Sequence, residues 1–365
     1  MKASLKILVA PLDWGLGHAT RCIPIIKVLL QQGCTVVLAA SGKEKHLLQE
    51  EFPLLKIFTL PGYKIQYAST AWGLPLKIVA QIPRLFATIK KEHAWLQHVV
   101  EEEGIHAVIS DNRFGLYHAS IPCVFVTHQL RIKASLQCAE DFLQRWNYRY
   151  INRFTECWVP DTKGEQSLAG ELSHPFKKPA VPLYYTGPLS RFRNTALPAE
   201  GKDLLIILSG PEPQRTLFEK IIVKDLQHYM GQVTLVRGLP GETAPLLIQE
   251  NVAVFNHLSA AQLQEKILDA GMVVSRCGYS TVMDLCTLQK RSILVPTPGQ
   301  TEQAYLARHL MKKNIAFCIE QHKFRLKNVL QAASQFRYVY HDVAGDNNLE
   351  NVVRRLVVSL SSNTE

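Results

Sequence analysis

The sequence predicts an α/β fold of two doubly wound domains, each a parallel sheet covered by helices on both faces. Short apolar runs alternate with amphipathic segments through the first half of the chain, which is typical of buried strands joined by crossover helices. Residues 173–198 are rich in proline, and a second alternating series follows them. A length of 365 residues suits two domains better than one.

In the first half, apolar runs of four to six residues predict the strands, and longer amphipathic segments predict the helices. Gly33 is the expected stop of the first helix, and Pro83 is expected to kink or split the long one. The predicted strands are Lys6–Ala10, Thr35–Ala40, Ala107–Ser110, Cys123–Thr127 and Glu156–Pro160. The predicted helices are Ala19–Gln32, a Lys/Glu-rich helix up to Glu51, and Leu74–Glu103.

The second half repeats the pattern. Its predicted strands are Leu204–Leu208, Val233–Val236, Val252–Phe255, Met272–Ser275 and Ser292–Val295. Its predicted helices are Arg215–Tyr229, Ala260–Leu268, one from about Ser280, Glu302–Lys313 and the amphipathic Leu349–Leu360. We therefore expect an N-terminal acceptor domain over residues 1–187 and a C-terminal nucleotide-sugar domain over 188–345. Residues 346–365 are expected to form a helix that packs back on the first domain.

Composition excludes several classes of protein. A hydrophobic fraction of 47% with 20% charged residues argues against extended disorder. The net charge of +10 favours an anionic partner, but no nucleic-acid-binding motif is present, so nucleic acid is not expected. The eight cysteines show no CxxC spacing, which predicts reduced thiols rather than a zinc site. No apolar run is long enough to span a bilayer, and we expect a cytoplasmic protein.

Asp13, Gly15, Gly17 and His18 lie in the loop after the first strand. Glycines let a backbone approach a ligand, and the following helix N-terminus offers free N–H groups. A third glycine and an acidic residue after the second strand are missing, which argues against a dinucleotide-binding dehydrogenase. A neutral imidazole at His18 could take a proton from a hydroxyl at neutral pH. The alternative for His18 is a helix-capping or merely polar role.

Asp111 follows a strand and is expected at the same sheet edge as His18, because carboxyl ends of parallel strands meet there. A carboxylate in that place could orient the imidazole, as in hydrolytic triads. The alternative is an N-cap for a following helix. His128 also follows a strand and is expected to line the acceptor side.

In the second half, two loops predict an anion site. Ser209, Gly210 and Arg215 belong to a short turn between strand and helix, whose two prolines remove N–H donors, so Arg215 or Ser209 is expected to bind the anion instead. The alternative is a tight turn with proline near the helix start. The second loop supplies backbone and hydroxyl donors suited to a diphosphate, and a carboxylate one helical turn later suited to a ribose. Its residues are Arg276, Gly278, Ser280, Thr281 and Asp284. Glu302 and Gln303, after a further strand, are expected to bind sugar hydroxyls.

These motifs resemble the GT-B glycosyltransferases of family 28 and their relatives, among them the bacterial N-acetylglucosaminyltransferase MurG, the diacylglycerol galactosyltransferases and the UDP-glucuronosyltransferases. The resemblance rests on Gly15–His18, on the run from Ser275 to Asp284, on the strand Ile293–Pro296 and on the pair Glu302-Gln303. Two departures stand out. Gly-Pro-Glu-Pro replaces the usual glycine-rich turn after Ser209, and Leu74–Glu103 matches no acceptor signature of the family. Within the matching run, Asp284 stands where MurG has glutamate.

The resemblance implies an inverting, metal-independent transfer of a sugar from a nucleotide-diphosphate donor, a UDP-sugar first of all, to a hydroxyl acceptor. It implies His18 as the base assisted by Asp111, the turn from Arg276 to Thr281 on the pyrophosphate, and Asp284 on the ribose. No cofactor is implied beyond the donor itself. It leaves the acceptor open, and a lipid-linked glycan is one candidate.

Three alternatives remain open from the sequence. Basic residues among apolar ones in 74–91 predict either docking at the inner face of an anionic membrane or an ordinary core-facing helix. A nucleotide-sugar epimerase of the same fold needs no acceptor. A non-catalytic nucleotide-sugar-binding subunit would bind without turnover.

Overall fold

The computed structural model describes residues 4–63, 74–134, 137–192, 201, 203–340 and 348–362, with the side chains of 74–80 and 82 left out. The chain forms two compact units. The division falls between Arg191 and Phe192, and residues 348–362 belong to the first unit again. The predicted boundary at 345 lies outside the described residues.

The first unit is built on a seven-stranded parallel sheet in the order β3-β2-β1-β4-β5-β6-β7. The strand order reverses between β1 and β4, so these strands flank the topological switch point where ligands bind in such sheets. The strands are β1 (Lys6–Pro11), β2 (Thr35–Ala40), β3 (Lys56–Thr59), β4 (Ala107–Asp111), β5 (Cys123–Val126), β6 (Glu156–Val159) and β7 (Leu183–Tyr185).

Four helices accompany this sheet: α1 (Leu16–Gln31), α2 (Gly42–Glu51), α3 (Leu74–Glu103) and α4 (Gln137–Ile151). The predicted stop at Gly33 is confirmed. Gly33 has φ 78°, and Cys34 N–H donates to Leu29 O at 3.1 Å, which is a Schellman ending. Of the two effects expected at Pro83, the splitting of the helix is wrong, because α3 continues through it, and the kink stays a prediction.

The second unit has a six-stranded parallel sheet in the order β10-β9-β8-β11-β12-β13, which reverses between β8 and β11. Its strands are β8 (Leu204–Ile207), β9 (Val233–Val236), β10 (Val252–Phe255), β11 (Met272–Arg276), β12 (Ser292–Val295) and β13 (Phe317–Cys318). Its helices are α5 (Gln214–Leu226), α6 (Ala260–Asp269), α7 (Tyr279–Thr287), α8 (Thr301–Lys312) and α9 (Leu326–Ser334). The two parallel α/β sheets predicted from the sequence are confirmed.

The last helix, α10 (Leu349–Ser362), packs on α1 of the first unit. Asn348 N–H donates to Thr186 O at 3.1 Å just before it begins. Arg355 lies 3.6 Å over the ring of Tyr184 and 2.5 Å from the carboxylate of Glu156. The end of the chain is therefore part of the first unit.

Candidate active site

Three loops of the first unit leave the carboxyl edge of its sheet side by side. Pro11, the last residue of β1, pairs with Asp111, the last residue of β4, and Asp111 pairs with Val126 at the end of β5. Hydrogen bonds hold these ends together, with Leu12 N–H donating to Asp111 O at 3.0 Å. Side chains that follow β1, β4 and β5 therefore converge at the switch point.

His18 reaches this edge from the first turn of α1. The sequence predicted a helix from Ala19, but α1 begins at Leu16 because Gly15, with φ 109°, turns the chain directly into it. Gly17 and His18 are consequently helical residues. The helix has no side-chain cap, so the capping alternative for His18 is wrong. The imidazole keeps 18% of its surface exposed, which leaves it within reach of a ligand.

Asp111 contacts His18 directly. The distance from His18 Nδ1 to Asp111 Oδ2 is 2.9 Å, and the Asp111 side chain is fully buried. The N-cap alternative for Asp111 is wrong, because it ends β4 and the next residue, Asn112, has φ 55°. The two residues that the sequence placed at one sheet edge are thus hydrogen-bonding neighbours.

Arg21 is the member of this cluster that the sequence analysis missed. Its guanidinium, 2% exposed, donates from Nε to Asp111 Oδ1 at 2.8 Å, and its Nη2 donates to the same oxygen. Nη2 also lies 2.7 Å from His18 Nδ1. The sequence could have indicated this role, because Arg21 follows His18 by three residues and residues with that spacing share a helix face.

Burial and the charge of Arg21 lower the pKa of His18 below its ordinary value, although Asp111 acts in the opposite direction. Burial by itself would raise the pKa of Asp111, but the charges and hydrogen bonds of Arg21 and His18 outweigh it, and the pKa of Asp111 is lowered. At neutral pH the cluster therefore holds a carboxylate beside a neutral imidazole, the state that a general base needs.

His128 lies beyond Arg21 in the same cluster. It is 4% exposed, and its Nδ1 is 3.3 Å from Arg21 Nη1. The predicted acceptor-side histidine is therefore buried against Arg21. It is also the smallest of the causes that lower the pKa of His18.

A second buried network of hydrogen bonds holds the loops that follow β1 and β4. Arg113 Nη1 lies 2.6 Å from Glu92 Oε1, and Arg113 Nε donates to Pro11 O at 2.6 Å. Tyr63 Oη donates to Glu92 Oε2 at 2.6 Å. An added Cβ at Gly115 would lie 2.4 Å from the backbone oxygen of Ile89, so only glycine fits where this loop crosses α3. The network ties the end of β1 to the loop after β4.

Asp13 and Gly15 fix the loop after β1. Asp13 Oδ1 accepts from Tyr63 N–H at 2.9 Å, and Gly15 N–H donates to Glu44 Oε1 at 3.2 Å. Gly62 is required beside them, since a Cβ there would lie 1.8 Å from Asp13 Oδ2. These acceptor-side candidates thus hold the backbone that leads to His18.

In the second unit, the turn between β11 and α7 presents the predicted donor residues. Gly278 is the N-cap of α7, and an added Cβ there would meet no atom within 4 Å, so the turn faces open space. Ser280 and Thr281 lie in the first helical turn and are half-buried, while Asp284 lies one turn later and is 7% exposed. A helix N-terminus beside open space is suited to an anion.

Arg276, at the end of β11, is 1% exposed. Its Nη2 donates to Gln214 O at 2.8 Å, and its guanidinium stacks on Phe218 at 4.3 Å. Within the described residues, Nε and Nη1 have no hydrogen-bond partner and no carboxylate pairs with this charge. Burial lowers the pKa of Arg276 to about 10, so it remains a cation at neutral pH.

The loop after β8 differs from the sequence expectation in one respect. Gly210, with φ 104°, supplies the turn, and Ser209 is half-buried beside it. Arg215 is 6% exposed and already engaged, with Nε 2.6 Å from Glu212 Oε1 and Nη1 3.3 Å from Glu219 Oε1. Arg215 therefore holds the start of α5 together.

The loop between β12 and α8 carries the last two donor candidates. Gln303 is buried, and its Oε1 accepts from Thr297 N–H at 2.8 Å, so it shapes the loop. Glu302 is half-buried in the first turn of α8. The hydroxyl of Thr297 is buried without a hydrogen-bond partner among the described residues, 3.9 Å from where a Cβ of Gly210 would stand.

Two properties hold for the described ranges of the chain. His, Cys, Asp and Glu side chains form no group of three or more that could hold a metal ion there. In the same residues, every helix is too short or too polar to cross a bilayer.

Comparison with known proteins identifies the type of domain. Residues 224–343 match the family described as glycosyltransferase family 28 C-terminal domain. The chain is 22% identical over 329 residues to an uncharacterized glycosyltransferase of Methanosarcina acetivorans, covering 82% of this chain and 81% of that one. The resemblance to family 28 predicted from the motifs is confirmed.

The fold is shared with solved glycosyltransferase structures. Arabidopsis thaliana UGT89C1 superposes with a TM-score of 0.67 at 12% identity, covering 97% of this chain and all (100%) of that one. Acinetobacter baumannii MurG does so with a TM-score of 0.53 at 13% identity, covering 98% and 94%. Residues 224–343 thus match a family 28 C-terminal domain, the architecture is GT-B, and the predicted enzyme class, a glycosyltransferase, is confirmed.

Proposed function

We propose that this glycosyltransferase moves a sugar from a nucleotide-diphosphate donor, a UDP-sugar in the first place, to a hydroxyl acceptor with inversion at the anomeric carbon and without a metal ion. The observation that carries the proposal is the His18–Asp111 pair, 2.9 Å apart at the switch point of the first sheet. It combines with a family 28 domain in the second unit.

The first unit supplies the base. His18 is neutral at neutral pH because burial and Arg21 lower its pKa, and Asp111 Oδ2 faces Nδ1. With the proton on Nδ1, Nε2 has a free lone pair and accepts the proton of the acceptor hydroxyl. The acceptor oxygen bonds to the anomeric carbon as the bond from that carbon to the diphosphate breaks. Attack opposite the leaving group inverts the anomeric configuration.

The second unit holds the donor. Backbone N–H groups at the start of α7 and the hydroxyls of Ser280 and Thr281 bind the diphosphate, and Asp284 binds the ribose hydroxyls. Arg276 supports this assignment, because a buried cation without a counter-charge is costly and a diphosphate supplies the missing negative charge. The same positive field stabilises the departing nucleoside diphosphate, which is the part a metal ion plays in other transferases.

The donor is assigned to the UDP-sugars by analogy with a structural neighbour. Arabidopsis thaliana UGT89C1 is known in complex with UDP-L-rhamnose. Ser209, Gly210, Glu302 and Gln303 complete the donor surface in the proposal, with Arg215 and Gln303 acting through the loops that they hold.

The acceptor is proposed to be a lipid-linked glycan reached at the inner face of an anionic membrane. In the described part of residues 74–91, the side chains of Arg84, Lys90 and Lys91 are exposed, together with 37% of Phe86. Exposed cations beside an exposed aromatic ring suit an anionic lipid surface. Liposome co-sedimentation tests this: binding should require anionic lipid and weaken with salt, and binding that responds to neither rejects a membrane site.

The main experiment screens nucleotide sugars by thermal shift and calorimetry and then follows turnover of the donor that binds. His18→Ala should abolish turnover while donor affinity is kept, because His18 belongs to the first unit. Asp284→Ala should weaken donor binding. His322→Ala and Asp269→Ala are the matched controls, since both side chains are exposed and neither belongs to the proposed site.

The outcomes separate the alternatives. Turnover retained in His18→Ala, or donor affinity unchanged in Asp284→Ala, contradicts the assigned roles. Conversion of the donor to an epimer without acceptor identifies an epimerase, and binding without any turnover identifies a non-catalytic subunit. Activity that disappears with EDTA and returns with a divalent cation rejects the metal-independent mechanism.

A further inference from the structure

The buried arginine of the His18 cluster has a role that the Asp-His pair alone does not explain. Arg21 is 2% exposed and Asp111 is fully buried, so neither charge is screened by water. Both Nε and Nη2 of Arg21 donate to one carboxylate oxygen of Asp111, Oδ1. His18 Nδ1 faces the other oxygen, Oδ2, at 2.9 Å. The two oxygens of Asp111 thus serve two different partners.

The proton on His18 decides whether it can act as a base. A neutral imidazole has one N–H, and Nε2 can accept a proton only while that N–H is on Nδ1. Nδ1 is also 2.7 Å from Arg21 Nη2, and a donated hydrogen bond from Arg21 would leave the proton on Nε2. Nη2 carries two N–H groups, and one of them binds Oδ1. A hydrogen bond from Nδ1–H to the Oδ2 carboxylate oxygen has a charged acceptor, whereas one from the second Nη2 N–H to Nδ1 has a neutral acceptor, so we expect the proton on Nδ1.

The charge of the cluster has to be considered as well. A buried carboxylate beside histidine without another cation stabilises the imidazolium, which cannot accept a proton. Arg21 supplies the cation and thereby removes this effect. The remaining titratable neighbours do not replace it: His128 Nδ1 lies against Arg21 Nη1 at 3.3 Å, and the buried Cys22 thiol, whose pKa is raised well above its usual value, stays neutral.

We propose that Arg21 is a positioning residue that keeps His18 an unprotonated base: it binds and neutralises one side of the Asp111 carboxylate, so that the other side orients the imidazole without converting it to an imidazolium. The lowered pKa of His18, with burial and Arg21 as its two largest causes, agrees with this geometry. The role rests on the proposed function, because it acts only through His18 as the base.

The test is the protonation state of His18, which needs no substrate. Imidazole ¹⁵N NMR of the full chain reports the charge and the tautomer of each histidine, and the spectrum of His18→Gln identifies His18 among the 13. The wild-type chain should show a neutral His18 with its proton on Nδ1 at pH 7. Arg21→Met should show an imidazolium at the same pH, and Arg21→Lys, which keeps the charge, should stay neutral.

A double variant covers the case in which Arg21→Met does not fold. Arg21→Met/Asp111→Asn removes both buried charges, and its His18 should be neutral again but without the fixed Nδ1–H tautomer. A neutral His18 with an unchanged titration midpoint in Arg21→Met overturns the proposal. The proposal is also overturned if Arg21→Lys shifts the titration midpoint of His18 from its wild-type value by as much as Arg21→Met does.

Turnover provides a second readout. In Arg21→Met, kcat/KM should fall about a hundredfold at neutral pH, and its acidic limb should move to higher pH, with partial recovery on the alkaline side. A merely structural role would lower the rate equally at every pH. If the NMR results hold while no variant changes turnover, Arg21 controls His18 but His18 is not the base, and only the proposed function fails.

Discussion

The ion pair between Arg113 and Glu92 offers a quantitative test of how the first unit holds its site. Their side chains are 0% and 1% exposed, and the atoms Nη1 and Oε1 are 2.6 Å apart. Arg113→Met leaves Glu92 as an uncompensated buried charge, a loss of about 3–5 kcal/mol in the free energy of unfolding. It also removes the hydrogen bond from Nε to Pro11 O, which adds about 1 kcal/mol.

The expected total, about 4–6 kcal/mol, is comparable with the whole stability of many domains, which is about 5–15 kcal/mol. Glu92→Gln should lose about 3–5 kcal/mol, because Arg113 then becomes the unpaired charge. The double variant Arg113→Met/Glu92→Gln contains neither charge. Its loss should therefore fall short of the sum of the two single losses by at least about 2 kcal/mol.

Urea unfolding followed by tryptophan fluorescence is the suitable assay. In a Trp72→Phe background the remaining tryptophans, Trp14, Trp95, Trp146 and Trp158, all belong to the first unit, so their emission reports on the unit that carries the network. Lys27→Met is the control, because its ion pair with Glu51 lies in the same unit, its side chain is 43% exposed, and its loss should change stability by less than about 1 kcal/mol. A loss below about 1 kcal/mol in Arg113→Met, or losses that simply add in the double variant, refutes the reasoning.

Three further predictions concern the base, its partner and the C-terminal helix. The pKa of His18 is lowered from the ordinary histidine value of 6.5, so kcat/KM should still be level at pH 6.5 and should fall only at lower pH. An acidic limb of kcat/KM with its midpoint at or above pH 6.5 contradicts this. Asp111→Asn should lower kcat by about four orders of magnitude, the effect of the same change in a hydrolytic triad, with donor affinity measured by calorimetry unchanged. Arg355→Met should lower the unfolding free energy of the first unit by about 1–2 kcal/mol, because it loses the contacts with the Tyr184 ring and the Glu156 carboxylate. Equal urea midpoints of the variant and the wild-type chain would show that these contacts do not stabilise the unit.

The sequence by itself determined the two parallel sheets and the strand ends from which the site is built. Periodicity is local information, so apolar runs such as Thr35–Ala40 and Val233–Val236 were predicted with the bounds that the structure shows. Strand ends share one edge of a parallel sheet, which is why His18 and Asp111 could be placed together although 93 residues separate them. The strands β3, β7 and β13 escaped prediction. β7 and β13 have only three and two residues, and β3 begins and ends on a polar residue and has no buried position, so no apolar run marks it.

Tertiary structure alone decided which charged side chains face a ligand and which hold the fold. Arg215 looked like a phosphate ligand, yet it is paired with Glu212 and Glu219, while Arg276 is buried with no carboxylate partner among the described residues. The sequence does not indicate the partner of Arg21, because only the fold places Asp111, at the end of β4, against α1. The physical reason is that backbone pattern fixes where a residue stands, whereas the partner of a buried charge depends on every other charge that folding brings within a few ångströms of it.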